Sequence, residues 1–213
     1  MNESNAMKLK VKICGMKDPD NIRLVAKLKP DYLGFIFYSG SPRYFSGTAD
    51  LFHNIIPKGI GKIGVFVNEQ PDTILKNIET YHLDMIQLHG NETPEYCSYL
   101  KNKGFPLIKA KRINTEQDFN DLEIFENICD YFLFDTGGRK FGGTGEKFNW
   151  ELLKYYRGHL PFFLSGGIGP EDAMIIEKLD FDRLFAIDIN SRFEISPGIK
   201  NVTLIETFLQ SIK

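Results

Sequence analysis

A cysteine and a lysine stand two residues apart in an apolar segment, residues 9–14, near the start of the chain. If this segment is a β-strand, Lys12 and Cys14 share a face, because side chains alternate along a strand. An ammonium group beside a thiol lowers its pKa by favouring the thiolate, which is the reactive form. Cys14 is therefore a candidate catalytic thiol. The alternative is a small buried apolar residue, as is common for a single cysteine.

Three other side chains that could do chemistry end short apolar segments in the same way: His89, Asp135 and Asp188. An imidazole and two carboxyl groups can donate and accept protons, so all three are candidates for a catalytic site. Each also has a structural interpretation. His89 could be a hydrogen-bonded structural histidine, Asp135 a helix cap or salt-bridge partner, and Asp188 a residue that holds a loop.

The elements that must position these side chains follow from the periodicity of the sequence. From residue 9 to the end, short apolar segments alternate with stretches of helical spacing. We predict strands over residues 9–14, 32–37, 61–67, 84–88, 106–110, 130–135, 161–165 and 183–188. Helices are predicted over residues 19–28, 48–56, 71–80, 92–103, 115–125, 149–157, 170–178 and 201–211.

Eight successive βα units predict an α/β fold of the (β/α)8 or TIM-barrel type, as one catalytic domain over residues 7–213. A doubly wound sheet is the alternative. Residues 1–6 are polar and precede a second methionine. We expect them to be a disordered leader or an expression remnant rather than part of the fold.

Alternation along the predicted strands divides their side chains between the helices and the barrel interior. The side chains predicted to face the interior are Lys10, Lys12 and Cys14, Gln87 and His89, Leu133 and Asp135, and Ala186 and Asp188. In four strands this places a polar group at the carboxyl end. Barrel enzymes build their active sites at that end, from several strands at once. The pattern therefore indicates a catalytic mouth.

Two Gly-containing segments predict a phosphate site. Residues 165–170 follow the seventh strand and open a helix, so the N–H groups near Gly166 and Gly167 can converge on an anion without obstruction by Cβ atoms. Residues 188–191 form the turn after the eighth strand, and barrels often bind phosphate between these two loops. Simple turn formation is the alternative.

A third Gly-rich segment, residues 142–147, lies within the irregular stretch 136–147, which we interpret as an active-site loop. Its spacing differs from that of a Walker motif, and residues 167–169 lack the third glycine of a dinucleotide fingerprint. No nucleotide cofactor is predicted.

The composition excludes several classes of partner. With 26 basic and 28 acidic residues the net charge is −2, so neither nucleic acid nor an acidic membrane surface is an expected partner. No apolar run approaches the roughly 18 residues of a membrane span, and no secretory signal is present, so we expect a cytoplasmic protein. The three cysteines are odd in number and contain no CxxC pair, which favours neither a disulfide framework nor a metal cluster.

Six segments in consecutive order resemble the phosphoribosylanthranilate isomerases of tryptophan biosynthesis. They are residues 12–15 (KICG), 41–44 (SPRY), 87–90 (QLHG), 142–145 (GGTG), 165–168 (SGGI) and 188–191 (DINS). The resemblance implies the substrate N-(5-phosphoribosyl)anthranilate and its Amadori rearrangement to a 1-deoxyribulose product without a cofactor. By this resemblance Asp135 is the general acid that protonates the ring oxygen, and Cys14, kept ionised by Lys12, is the general base at C2.

The resemblance also implies which residues bind the substrate. Arg43 would meet the anthranilate carboxylate with two parallel donors. Asp188 would contact the sugar hydroxyls or the anilino nitrogen, and the backbone at Gly166, Gly167, Asn190 and Ser191 would hold the phosphate. Lys12 and His89 are further expected substrate contacts. We expect a monomer or a homodimer.

The chain departs from the family pattern after the eighth strand, where Asn190 replaces a serine and Arg192 a glycine. Arg192 could strain the turn or add a cation near the phosphate. Asn201 stands where the family prefers aspartate and is expected to affect only a helix start.

Two alternative functions remain. A sister isomerase of histidine biosynthesis carries Asp at the end of the first strand, so Cys14 argues against it. A non-catalytic phosphate-binding barrel would lack the acid and the base.

Overall fold

Eight parallel strands close into a barrel in which each strand pairs with its neighbours in the chain and β8 returns to pair with β1. The computed structural model describes residues 9–136 and 149–212. The strands are β1 (Lys10–Ile13), β2 (Tyr32–Ile36), β3 (Gly61–Phe66), β4 (Met85–Leu88), β5 (Leu107–Ile113), β6 (Tyr131–Thr136), β7 (Phe162–Leu164) and β8 (Leu184–Ile189). The predicted (β/α)8 fold and all eight predicted strands are confirmed. The predicted leader at residues 1–6 and the predicted loop with its GGTG motif at 142–145 lie outside the described residues.

A helical segment follows each strand. The α-helices are α1 (Pro19–Lys27), α2 (Ala49–Ile55), α3 (Pro71–Tyr81), α4 (Pro94–Lys101), α5 (Glu123–Glu126), α6 (Ala173–Ile176) and α7 (Val202–Ser211). Three predicted helices are wholly or partly 3-10 helices, at Glu116–Leu122, Trp150–Tyr155 and Pro170–Asp172. Such short segments offset little of the cost of helix nucleation, so the tighter turn competes well. No helix among the described residues is long and apolar enough to cross a membrane.

The strands bury both of their faces, as the alternation predicts. Val11 and Ile13 belong to the layer between the barrel and the helices, whereas Leu133 and Ala186 belong to the cluster inside the barrel. Because adjacent side chains point to opposite faces, Lys12 between Val11 and Ile13 must point inward. It is fully buried there.

Aromatic side chains close the amino-terminal end of the barrel. Tyr32, Tyr131, Phe163 and Phe185 contact one another with ring centroids 4.7–6.3 Å apart. A register shift between β7 and β8 inserts Phe185 as an extra residue of β8, which lets it join this cluster. The ammonium of Lys10 lies 4.4 Å from the Phe185 ring centroid. The interior is therefore filled at the amino-terminal end, which leaves the carboxyl end for a site.

An unpredicted hairpin follows β8. After a 3-10 helix at Ser191–Phe193, strands β9 (Glu194–Ser196) and β10 (Ile199–Lys200) pair in antiparallel fashion. Asn201 then caps α7, its side chain accepting a hydrogen bond from the N–H of Leu204 at 3.1 Å. The prediction that Asn201 affects a helix start is confirmed.

Candidate active site

A fully buried ammonium group lies at the centre of the polar end of the barrel. Lys12 Nζ donates to Asp188 Oδ2 at 2.8 Å and to Gln87 Oε1 at 2.7 Å. Lys12 and Asp188 are paired residues on adjacent strands β1 and β8, so their contact follows directly from the register. Burial opposes the charge on Lys12, but Asp188 and then Cys14 outweigh it and raise the pKa of Lys12. Lys12 therefore remains a cation inside the barrel.

The second carboxylate oxygen of Asp188, Oδ1, is buried and accepts no hydrogen bond from any part of the chain that the structure describes. A buried acceptor without a donor costs about 1–3 kcal/mol. Asp188 is thus held through Oδ2, while none of the described residues donates to its Oδ1.

Cys14 follows β1 and its N–H donates to the carbonyl of Ile189 at 2.9 Å, which fixes it beside the end of β8. The residue is only 4% exposed. Burial raises the pKa of the thiol, Lys12 lowers it, Asp188 raises it and Lys200 lowers it, and the net direction is upward. Lys12 thus contributes in the predicted direction, but the expectation that it leaves the thiol more acidic than usual is corrected, because burial outweighs it. The raised pKa therefore favours the thiol over the thiolate.

His89 connects this cluster to Asp135 at the end of β6. Gln87 Nε2 lies 2.9 Å from His89 Nδ1, and His89 Nε2 lies 3.6 Å from Asp135 Oδ2. The carboxylate of Asp135 is partly exposed, at 17% of the side chain. The structure therefore brings four of the predicted residues together at one end of the barrel. Asp188 contacts Lys12, His89 lies next to Asp135, and Gln87 joins the two pairs by contacting both Lys12 and His89.

Arg43 lies in the loop after β2, in contact with the backbone next to Cys14. A Cβ atom on Gly15 would come within 2.8 Å of Arg43 Cδ and of Asn190 Oδ1, and Gly15 has a φ of 75°. Only glycine tolerates both conditions without strain, so Gly15 lets the Arg43 side chain cross the chain beside the thiol.

A buried carboxylate holds the guanidinium of Arg43. Arg43 Nε donates to Glu194 Oε1 and Oε2 at 2.9 and 3.0 Å, and Nη2 donates to Oε2 at 2.7 Å. Burial opposes ionisation of Glu194, but hydrogen bonds from Arg43 and the charge of Lys200 hold the pKa of Glu194 below its usual value. Glu194 thus accepts from the Nε–H and from one N–H of Nη2, which leaves the two N–H groups of Nη1 and the second N–H of Nη2 as donors.

Lys200, fully buried on β10, joins this pair to the loop after β8. Its Nζ donates to Glu194 Oε1 at 2.7 Å and to Asn190 Oδ1 at 2.7 Å. Asn190, which replaces the serine of the family pattern, is thereby anchored by a cation. Neither Glu194 nor Lys200 was predicted as a functional residue, and Gln87 was placed on the interior face without a role.

The two predicted phosphate loops lie side by side. Gly166 and Gly167 have φ values of 90° and 69°. These values lie in the left-handed region, which glycine adopts more readily than other residues. Arg192 lies in the 3-10 helix Ser191–Phe193, so the strain considered for it does not arise. Its Nη2 contacts Glu171 Oε1 at 2.5 Å and so joins the two loops.

Comparison with known proteins places this geometry in context. The model of the family described as N-(5'phosphoribosyl)anthranilate (PRA) isomerase matches residues 11–211. An N-(5'-phosphoribosyl)anthranilate isomerase of Parabacteroides distasonis is 44% identical over 207 residues, covering 95% of this chain and 92% of the relative. The enzyme of the same description from Phocaeicola vulgatus is 41% identical, covering 95% of this chain and 97% of the relative.

Among solved structures, the phosphoribosyl anthranilate isomerase of Thermotoga maritima superposes with a TM-score of 0.82 at 31% identity, covering 96% of this chain and 98% of that chain. Another structure of a phosphoribosyl anthranilate isomerase, in complex with reduced 1-(o-carboxyphenylamino)-1-deoxyribulose 5-phosphate, superposes with a TM-score of 0.80 at 31% identity over the same shares of the two chains.

Proposed function

The chain belongs to the family of N-(5'-phosphoribosyl)anthranilate isomerases, and on that premise we propose that Cys14 and Asp135 catalyse its reaction as base and acid. The protein is an aldose–ketose isomerase, an intramolecular oxidoreductase that converts N-(5'-phosphoribosyl)anthranilate in tryptophan biosynthesis. The observation that carries the proposed roles is that β1 and β6 present a thiol and a carboxyl group at the same end of the barrel, connected through Lys12, Gln87 and His89.

In the proposed mechanism Asp135 gives a proton to the furanose ring oxygen, and the nitrogen lone pair opens the ring to a protonated Schiff base. Cys14, as thiolate, removes the proton from C2, and the electron pair forms the C1–C2 double bond of the enolamine. Protonation at C1 and loss of the C2 hydroxyl proton then give 1-(2-carboxyphenylamino)-1-deoxyribulose 5-phosphate. Each proton transfer contributes typically about 10²- to 10⁴-fold to the rate.

The active form has Asp135 protonated and Cys14 ionised. Because burial raises the pKa of Cys14, this form arises when a single proton moves from the thiol to the carboxylate. The ammonium groups of Lys12 and Lys200 both favour the thiolate, so they lower the cost of that transfer.

The substrate contacts are proposed from the same geometry. Asp188 Oδ1, buried without a donor among the described residues, accepts from a sugar hydroxyl or from the anilino N–H. Arg43 binds the anthranilate carboxylate. His89 borders the sugar, and the backbone at Gly166, Gly167, Asn190 and Ser191 binds the phosphate.

The assembly and location of the protein are proposals as well. We propose a monomer or a homodimer. One of the structural neighbours is described as generated monomers of the dimeric phosphoribosylanthranilate isomerase of Thermotoga maritima. A cytoplasmic location, with a small molecule as the ligand and without nucleic acid or membrane as partner, is consistent with the balanced charge of the chain.

The test uses the loss of fluorescence of N-(5'-phosphoribosyl)anthranilate generated in situ. Cys14→Ser and Asp135→Asn should each lower kcat at least 100-fold while the protein still binds a product analogue. Cys129→Ser and Asp130→Asn are matched controls, because they make the same changes at the opposite end of β6, where Asp130 bonds to Lys101.

Both controls should retain turnover. Wild-type rates in either Cys14→Ser or Asp135→Asn contradict the proposed roles. A folded wild-type protein that binds the analogue without consuming the substrate would favour a non-catalytic binding barrel.

A further inference from the structure

The side-chain amide of Gln87 lies between an ammonium group and an imidazole, and this arrangement determines which way the amide faces. Lys12 Nζ is 2.7 Å from one end of the amide and His89 Nδ1 is 2.9 Å from the other. An ammonium has only donors, so the end that faces Lys12 must be the carbonyl oxygen. The NH₂ group of Gln87, which is 1% exposed, therefore faces His89.

The orientation of the amide in turn determines where His89 carries its proton. An NH₂ group can only donate, so Nδ1 of His89 must be the acceptor and cannot carry a hydrogen. A neutral imidazole has one N–H, which is then on Nε2. Nε2 is the atom that lies 3.6 Å from Asp135 Oδ2, so its hydrogen points towards the carboxylate.

We infer that Gln87 is a positioning residue that transmits the fixed charge of Lys12 to His89 and holds the imidazole as an Nε2–H donor towards Asp135. The inference rests on the proposed role of Asp135 as general acid. An Nε2–H group cannot accept a proton, so the acid keeps its proton for the ring oxygen of the substrate. Once the proton has been given up, the same N–H stabilises the carboxylate that remains. Catalytic hydrogen bonds are often long in the absence of substrate, and the inference requires this contact of 3.6 Å to shorten when substrate binds.

The opposite tautomer would serve the acid poorly. With the proton on Nδ1, a bare Nε2 would face Asp135 and accept the proton intended for the substrate. It would also set its lone pair against the carboxylate after the transfer. A hydrogen bond to a charged group contributes about 1.5–3 kcal/mol, so loss of the Nε2–H donor should lower kcat about 10- to 100-fold.

The experiment measures the tautomer directly, by long-range ¹H–¹⁵N correlation of the histidine rings at a pH where the imidazole is neutral. His89→Gln identifies which signals belong to His89. The wild-type ring should show a bare Nδ1 and a protonated Nε2. In Gln87→Glu the carboxylate accepts from both Lys12 and His89, so the proton should move to Nδ1, and kcat should fall 10- to 100-fold with little change in KM.

Gln117→Glu adds the same charge at an exposed position and should change neither the tautomer nor kcat. Gln87→Met is a second variant, for use if Gln87→Glu does not fold. It keeps the volume of the side chain and removes both hydrogen bonds, so it should also lower kcat. If His89 in the wild-type protein is protonated on Nδ1, the inference is overturned whatever the kinetics show. The inference is also overturned if Gln87→Glu folds, changes the tautomer of His89 and still has the kcat of the wild-type protein. Wild-type turnover in Asp135→Asn would instead refute the proposed function, and the tautomer measurement would still stand.

Discussion

The substitution Glu194→Gln tests how Arg43 is prepared for the substrate carboxylate. Glu194 receives three contacts from Arg43 and one from Lys200, all between 2.7 and 3.0 Å. Glutamine keeps the shape of the side chain, but its NH₂ group must face one of these donors. Arg43 therefore loses at least one of the bonds that orient its guanidinium, and the side chain gains freedom in the empty enzyme.

In Glu194→Gln the change in charge favours binding of the substrate carboxylate, whereas the poorer orientation of Arg43 weakens it. We expect the orientation of Arg43 to have the larger effect on KM. Without Glu194, Arg43 would attract a carboxylate more strongly. Burial already lowers the pKa of Lys200, however, and Glu194 is the largest influence opposing that shift. Without Glu194, the pKa of Lys200 should therefore fall further, which favours its neutral form and offsets part of the gain in positive charge near the ligand.

Reordering a free arginine costs up to about 2 kcal/mol of side-chain entropy, which corresponds to about a 30-fold rise in KM. The anthranilate carboxylate does not react, so its binding affects KM. We expect kcat to fall only to the extent that Lys200 supports the Cys14 thiolate less strongly in the variant. The assay follows the fluorescence of N-(5'-phosphoribosyl)anthranilate and repeats the measurement with the aniline analogue, which lacks the carboxylate. The analogue should show the same KM in wild type and in Glu194→Gln.

Glu92→Gln is the matched control. Its carboxylate is equally buried and pairs with Lys109 at 2.6 Å, away from Arg43. Loss of one partner of a buried ion pair typically costs about 3–5 kcal/mol, so both variants should lose stability towards urea. Only Glu194→Gln should raise KM for the natural substrate. An unchanged KM, or an equal rise for the aniline analogue or for Glu92→Gln, would refute the reasoning.

Two further predictions concern pH and the phosphate loops. Burial raises the pKa of Cys14 above its usual 9.0, and the active form shares one proton between Cys14 and Asp135. On the alkaline side kcat/KM should therefore stay level through neutral pH and fall only as pH passes the raised pKa; a decline that begins near neutrality would contradict the shared proton. Glu171→Gln should release Arg192 towards the phosphate and strengthen competitive inhibition by inorganic phosphate up to about fivefold, because an exposed ion pair contributes at most about 1 kcal/mol. Inhibition equal to that of wild type would show that Arg192 does not reach the phosphate.

Periodicity predicted the fold because each strand has only two faces. The alternation of Val11, Lys12 and Ile13 identifies one polar position between two apolar ones, and a closed barrel then leaves a single direction for the lysine. Asp135 and Asp188 could be placed at the mouth by the same argument, since each is the penultimate residue of its strand. The position of a residue near the end of a strand can thus be predicted from the strand pattern and the closure of the barrel alone.

Other features of the site depend on contacts that no local pattern reveals. Glu194 and Lys200 belong to strands of three and two residues, too short to show a period. Glu194 meets Arg43 from 151 positions away along the chain, and Lys200 joins this pair through Glu194. The net pKa of Cys14 likewise depends on how completely the barrel buries the thiol. Spacing reveals that Lys12 is near, but it does not reveal burial, which is the larger influence.

The polar layer at the mouth is better explained by chemistry than by stability. Placing Lys12 and Asp188 in the barrel interior costs several kcal/mol per charge before their contact at 2.8 Å is counted, and apolar residues of similar volume commonly stabilise such positions equally well or better. The aromatic cluster around Phe163 and Phe185 shows that this barrel fills its interior with apolar groups at the other end. Asp188 Oδ1 also has no donor among the described residues. These buried charges add little to stability, whereas the proposed binding of a substrate hydroxyl or anilino N–H gives a chemical reason to retain them.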